Sequence, residues 1–124
     1  MDINDRRALL KTSDNPNKSI DYITSLEREL SAEKLRLTLR YIPDKVVLNA
    51  ACFAPYMEMV LSHSDMLEEA ATIILEDLNN ELVARWVQVL IYKGKGQENQ
   101  HCVILEDQQP QWSNPHLMAR ISKI

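Results

Sequence analysis

The chain has 124 residues, 45% hydrophobic and 26% charged, with a formal net charge of −4 and a pI near 5.3. Such a chain is long enough to bury one domain core without disulfide or metal staples. A mildly acidic chain with no basic cluster argues against nucleic acid as a partner, and no apolar run approaches the ~20 residues of a membrane helix.

Residues 1–19 are polar and end in "SDNPNKS", a density of Asn, Asp, Pro and Ser that signals irregular chain. They are read as a polar N-terminal extension of a single domain spanning 1–124, with room for a short helix over Arg6–Lys11. They lack the apolar run of a secretory leader, so the expected location is cytoplasmic. Residues 20–30, "IDYITSLEREL", fit both periods. Ile20, Tyr22, Leu26 and Leu30 suit alternation, whereas Ile23, Leu26 and Leu30 suit a helix stripe. A strand is preferred, because the next segment needs a partner and "SAE" can serve as the turn.

Residues 33–42, "EKLRLTLRYI", alternate clearly. Leu35, Leu37, Leu39 and Tyr41 share one face, which predicts a half-buried antiparallel strand that Pro43 ends. The neutral stretch "VVLNAACFAPYM" follows. Val46–Leu48 can form a brief strand, and a helix should begin near Ala54, since Pro55 is tolerated only in a first turn. "DMLEEAATIILEDLNN", residues 65–80, is the clearest helix. "SHSD" offers caps, Asp65, Glu68 and Glu69 suit the positive end of the dipole, and "NN" marks a stop. Residues 83–92, "VARWVQVLIY", and 101–106, "HCVILE", read as strands around the loop "KGKGQENQ". The order strand–strand–helix–helix–strand–strand predicts an α+β domain: a four-stranded antiparallel sheet with two helices on one face.

"RYIPDKVVLNAACFAPYM", followed by "ILEDL" and "RWVQV" and preceded by Asn15–Pro16 and Asp21–Tyr22, resembles the 7-cyano-7-deazaguanine reductases, the nitrile reductases of queuosine synthesis. The resemblance spans residues 15–93 and implies their tunnelling fold, of ββααββ order. The departures from the family pattern fall on its chemistry. A loop that carries a catalytic cysteine and an aspartate in the family is replaced by "ERELSAEKLRL". The family's glutamate and two lysines after "YIPD" correspond to Asn49, Ala51 and Ala54, while Tyr56 keeps the aromatic end of that motif. Its ring-contacting His-Glu pair corresponds to Leu67 and Glu68, so only the glutamate remains. Its NADPH-linked Arg-Gly-Gly is not reproduced by "KGKGQ". The resemblance therefore implies a shortened member without the reductase's catalytic set, for which no cofactor is expected.

Glu68 is the leading ligand-binding candidate, because a carboxylate at a helix start can accept two N–H bonds from a purine- or pterin-like ring. The plainer alternative is a solvated first-turn glutamate. Cys52 could be a displaced nucleophile, but no histidine adjoins it in sequence, and a packed thiol is the simpler reading. His63, His101 and His116 have no ligand spacing, so no metal site is expected. "EEAATIILEDL" and "VQVLIYKGKG" are similar to the dihydroneopterin aldolases, which share the fold. That likeness would make Lys93 a proton-transfer group, against a solvated loop lysine. Trp86 and Trp112 suit core or interface positions. No P-loop or dinucleotide motif is present. The sheet edges, and the apolar stretch around Phe53 and Tyr56, point to a homo-oligomer. Three classes of function remain: a ring- or partner-binding non-reductase, a structural or regulatory oligomer, and a pterin-processing enzyme.

Overall fold

The computed structural model describes residues 2–30, 34–94 and 96–121. The chain runs α1 (Ile3–Arg7), β1 (Thr12–Asp14), β2 (Thr24–Leu30), β3 (Leu35–Ile42), β4 (Val46–Leu48), a 3-10 turn (Ala50–Cys52), α2 (Phe53–Ser62), α3 (Leu67–Leu82), β5 (Trp86–Lys93), β6 (His101–Gln108) and α4 (Pro115–Met118). Four strands form an antiparallel sheet in the order β2-β3-β5-β6, and β1 and β4 form a separate two-stranded sheet. The expected α+β architecture is present. The "SAE" turn lies outside the described residues.

Alternation decides which face is buried. Leu35, Leu37, Leu39 and Tyr41 of β3, and Val87, Val89 and Ile91 of β5, are buried beneath the helices. The register pairs Leu37 with Ile91 and Leu39 with Val89, so both strands present their apolar sides together. From above, α2 contributes Phe53, Tyr56, Met57 and Val60, and α3 contributes Ala70, Ala71, Ile74, Leu78 and Leu82. The alanines allow α3 to approach the sheet closely, and the larger residues fill the layer between. The neutral stretch after "RYIPD" is thereby explained. Val46–Leu48 pairs with β1, the Leu48 amide donates to the Tyr41 hydroxyl at 2.9 Å, and Phe53 and Tyr56 enter the core. Those two side chains are 4% and 0% exposed, so they are not the interface surface that was expected.

Residues 1–19 are more ordered than their composition suggests. The helix lies at Ile3–Arg7 rather than Arg6–Lys11, β1 pairs with β4, and Leu10 and Asn15 are buried. The helix α3 also departs from expectation at both ends. Its N-cap is Met66, with no side-chain cap, so "SHSD" supplies none. It continues through Asn79 and Asn80 to Leu82, and stops at Val83 in the left-handed region, φ 45°. Leu82 is buried, so packing carries the helix past the polar pair.

Two polar networks fasten the chain ends to this body. In the first, Asp77 of α3 is fully buried and accepts from Arg6 Nε at 2.5 Å and Nη2 at 2.9 Å, from Arg7 Nε at 2.8 Å and from the Tyr56 hydroxyl at 2.5 Å. In the second, Arg85, just before β5, donates to Asp21 at 2.7 Å, Asp44 at 3.3 Å, and the carbonyls of Lys18 at 2.7 Å and Ile20 at 3.2 Å. Asp21 also accepts from Trp112 Nε1 and Asn114 Nδ2, and Asp44 accepts from Gln109 Nε2. Asn15 joins this network, donating to the Asp44 carbonyl at 2.8 Å and accepting from the Tyr22 hydroxyl at 2.6 Å.

Candidate functional site

The start of α3, the end of β5 and the start of β6 meet at one end of the sheet. There they bound an open cleft of about 580 Å³ that Glu68, Lys93 and His101 line together with Ser64, Asp65 and Leu35. Strand geometry explains the meeting. Lys93 and His101 are directly paired in the β5–β6 register. Both lie on the helix-facing side, in step with the inward Val89 and Ile91 and with Val103 and Leu105. Glu68 comes from the first turn of α3, above them. The turn that ends β5 requires glycine: Gly94 has φ +76°, and a Cβ there would lie 2.6 Å from the Asn99 carbonyl oxygen.

Glu68 Oε2 lies 3.0 Å from His101 Nε2, with both side chains about half exposed. The backbone amide of Glu68, and then His101, holds the Glu68 carboxyl below the usual carboxylate range. An ionised acceptor thus faces the cleft, with an imidazole as its present partner. Among the described residues the Lys93 side chain, which is exposed, has no ion-pair or hydrogen-bond partner.

The other candidates lie elsewhere. The Tyr56 hydroxyl is buried against Asp77, and burial, then its bond to the Asp77 carboxylate, pushes its pKa upward. It is a core hydroxyl, remote from any open surface. Cys52 is half-buried, its Sγ 3.0 Å from the Asn49 carbonyl oxygen and 3.4 Å from the Lys11 amide nitrogen, and among the described residues no imidazole or carboxylate is hydrogen-bonded to it. Cys102 is exposed and unpaired with Cys52. Trp86 is buried at the start of β5, and Trp112 is tied to Asp21. Among the described residues no three His, Cys, Asp or Glu side chains converge as a metal site would need, and no helix is long and apolar enough to cross a membrane. His101 is the cleft residue that sequence reasoning set aside. Its signal was its parity on β6, which places it on the helix side, rather than any local motif.

No protein-family model matches the chain, and no curated protein matches it in sequence. Among solved structures it is similar to the archaeosine synthase QueF-Like in the apo form, with a TM-score of 0.50 at 18% identity, covering 74% of this chain and 95% of that one. At that identity the likeness speaks for architecture alone. Together with the sheet order and the paired helices, it gives this chain a QueF-like tunnelling fold.

Proposed function

We propose that the chain is a non-reductase tunnelling-fold protein that binds a purine- or pterin-like ring at Glu68. The observation that carries this reading is the cleft itself. It gathers Glu68, Lys93 and His101 from three separate elements around one open volume. A flat heterocycle with adjacent ring N–H and amino donors matches the two oxygens of an ionised carboxylate. The reductase side of the resemblance is unsupported. Positions 49, 51, 54 and 67 carry Asn, Ala, Ala and Leu, and Cys52 stands away from the cleft against Lys11 and Asn49. The test is calorimetry with guanine, a 7-deazaguanine and pterin. Glu68→Gln puts a donor against a ring donor and should weaken binding about tenfold or more, because a polar mismatch replaces a charge-assisted pair. Glu69→Gln, one residue on and exposed, should bind as wild type does. Equal affinities for Glu68→Gln and wild type would reduce Glu68 to an ordinary first-turn glutamate.

A pterin-processing, aldolase-like enzyme is the second reading. It is favoured by the placing of Lys93 in the same cleft as Glu68. There Lys93 would move a proton while Glu68 held the ring, and turnover of a dihydropterin substrate separates the two readings.

We also propose that the protein is a homo-oligomer. The sheet ends in β2 and β6, whose outer edges have no strand beside them among the described residues, and free edges favour addition of a further strand. With Phe53 and Tyr56 inside the core, those edges carry the argument. Light scattering at tens of micromolar should report at least a dimer; a monomeric mass would remove the structural-oligomer class of function as well.

A further inference from the structure

We infer that the ring taken by this cleft carries an acidic substituent, a carboxylate or phosphate, and that Lys93 is the cation that receives it. The inference rests on the ring-binding reading of Glu68 and adds the chemical class of the ligand. Charge in the cleft is divided between its walls. On the α3 side, Asp65 and Glu68 present carboxylates; on the sheet side, Lys93 and His101 stand opposite each other across the β5–β6 ladder. The sheet-side pair is not equivalent. His101 is engaged with Glu68 at 3.0 Å, whereas the exposed Lys93 ammonium has no side-chain partner among the described residues. The strand that carries it is held by its pairing with Leu35 on β3 and with His101 on β6, and by the glycine turn that follows. A ring held at Glu68 shares its cleft with Lys93. An anionic group there meets the uncommitted ammonium, while the same group turned the other way would meet Asp65 and Glu68. The cleft thus fixes ring orientation by charge at both walls, with no need for an enclosing pocket. Lysine suits this role, since a flexible stem with three donors accepts carboxylate and phosphate alike.

The test compares pterin with pterin-6-carboxylate, and guanine with guanosine monophosphate, by calorimetry at low and at high salt. Wild type should bind the anionic member of each pair about fivefold or more tightly, the scale of one charge-assisted hydrogen bond in a half-open site. That preference should shrink at high salt. Lys93→Met should lose the preference, so that the anionic and neutral members of each pair bind it alike. Lys93→Arg should keep it, and Lys45→Met, which removes a cation remote from the cleft, should leave it unchanged. A preference for the carboxylate over the phosphate, or the reverse, names the source of the anion. Equal binding of neutral and anionic rings by wild type overturns this inference and leaves the ring-binding reading standing. A preference that survives in Lys93→Met overturns the role of Lys93. Failure of all four ligands to bind overturns both.

Discussion

Replacing Asp77 with asparagine is expected to destabilise the fold by about 3–5 kcal/mol, the cost of breaking a buried ion pair from one side. Asp77 is 0% exposed and receives four hydrogen bonds from Arg6, Arg7 and Tyr56. Asparagine keeps the size but loses the charge, and it sets an amide donor against guanidinium donors. Tyr56→Phe removes one bond only and should cost about 1–2 kcal/mol, so comparing the two variants separates the charge from the hydroxyl. The acid dependence follows from the same site. Burial raises the Asp77 pKa, but the bonds from Arg6, Tyr56 and Arg7 outweigh it and hold the folded-state value below the usual 3.8. A carboxyl lowered on folding stabilises the native state above its unfolded pKa and loses that contribution as pH falls through the folded one. Urea midpoints taken downward from pH 5 should therefore fall more steeply for wild type than for Asp77→Asn. Parallel curves would exclude Asp77 as a source of the acid sensitivity.

Arg85→Ala should cost about 2–3 kcal/mol, since it removes a partly buried fork of charge-assisted hydrogen bonds. Arg85 holds Asp21, Asp44 and two backbone carbonyls with its side chain 16% exposed. Asp21 and Asp44 in turn anchor the Trp112, Asn114 and Gln109 side chains. The loss should therefore appear locally as well as globally, as faster amide exchange over residues 109–121. Arg85→Lys keeps the charge but cannot reproduce the fork, and it should recover less than half of the loss. Unchanged exchange in the tail would mean that residues 109–121 are held by other contacts. Both carboxyls are lowered. For Asp21, burial opposes the shift and the bonds from Asn114, Arg85 and Trp112 outweigh it; for Asp44, the Gln109 bond leads. Their contribution therefore also disappears as pH falls below the usual aspartate value.

Four of the motifs that carried the resemblance meet in this second network. "NP", "DY", "RYIPD" and "RWVQV" contribute Asn15, Asp21, Asp44 and Arg85 to one hydrogen-bonded clasp. The resemblance to the nitrile reductases was thus carried by residues that close the fold. That is why it gave the architecture well and says little of chemistry. Period-two alternation showed β3, because one face of it is covered by helices, and a β-branched and aromatic run showed β5. The same logic failed for α1 and β1. Their order comes from Asp77 and from β4, partners distant in sequence, and no local period records them. The cap of α3 was misread because "SHSD" looks like a cap, yet Met66 holds that position. At the candidate site, Glu68 and Lys93 were legible one at a time, each from its own element. Their convergence with His101 was not, since it depends on strand register and on the seating of α3 against β5 and β6.

The sheet order β2-β3-β5-β6 also carries an expectation for the order of events in folding. Its outer pairs, β2–β3 and β5–β6, are hairpins between neighbours in sequence and can form locally. Its central pair, β3–β5, joins them across a segment that contains both α2 and α3. Loop closure must be met before that pairing returns any energy. Docking of the two hairpins beneath the two helices is therefore the step expected to limit folding, and stopped-flow refolding of seam variants checks it. Substitutions at the β3–β5 seam, such as at Leu37 or Val89, should slow folding, whereas those in the clasp around Arg85 should chiefly speed unfolding.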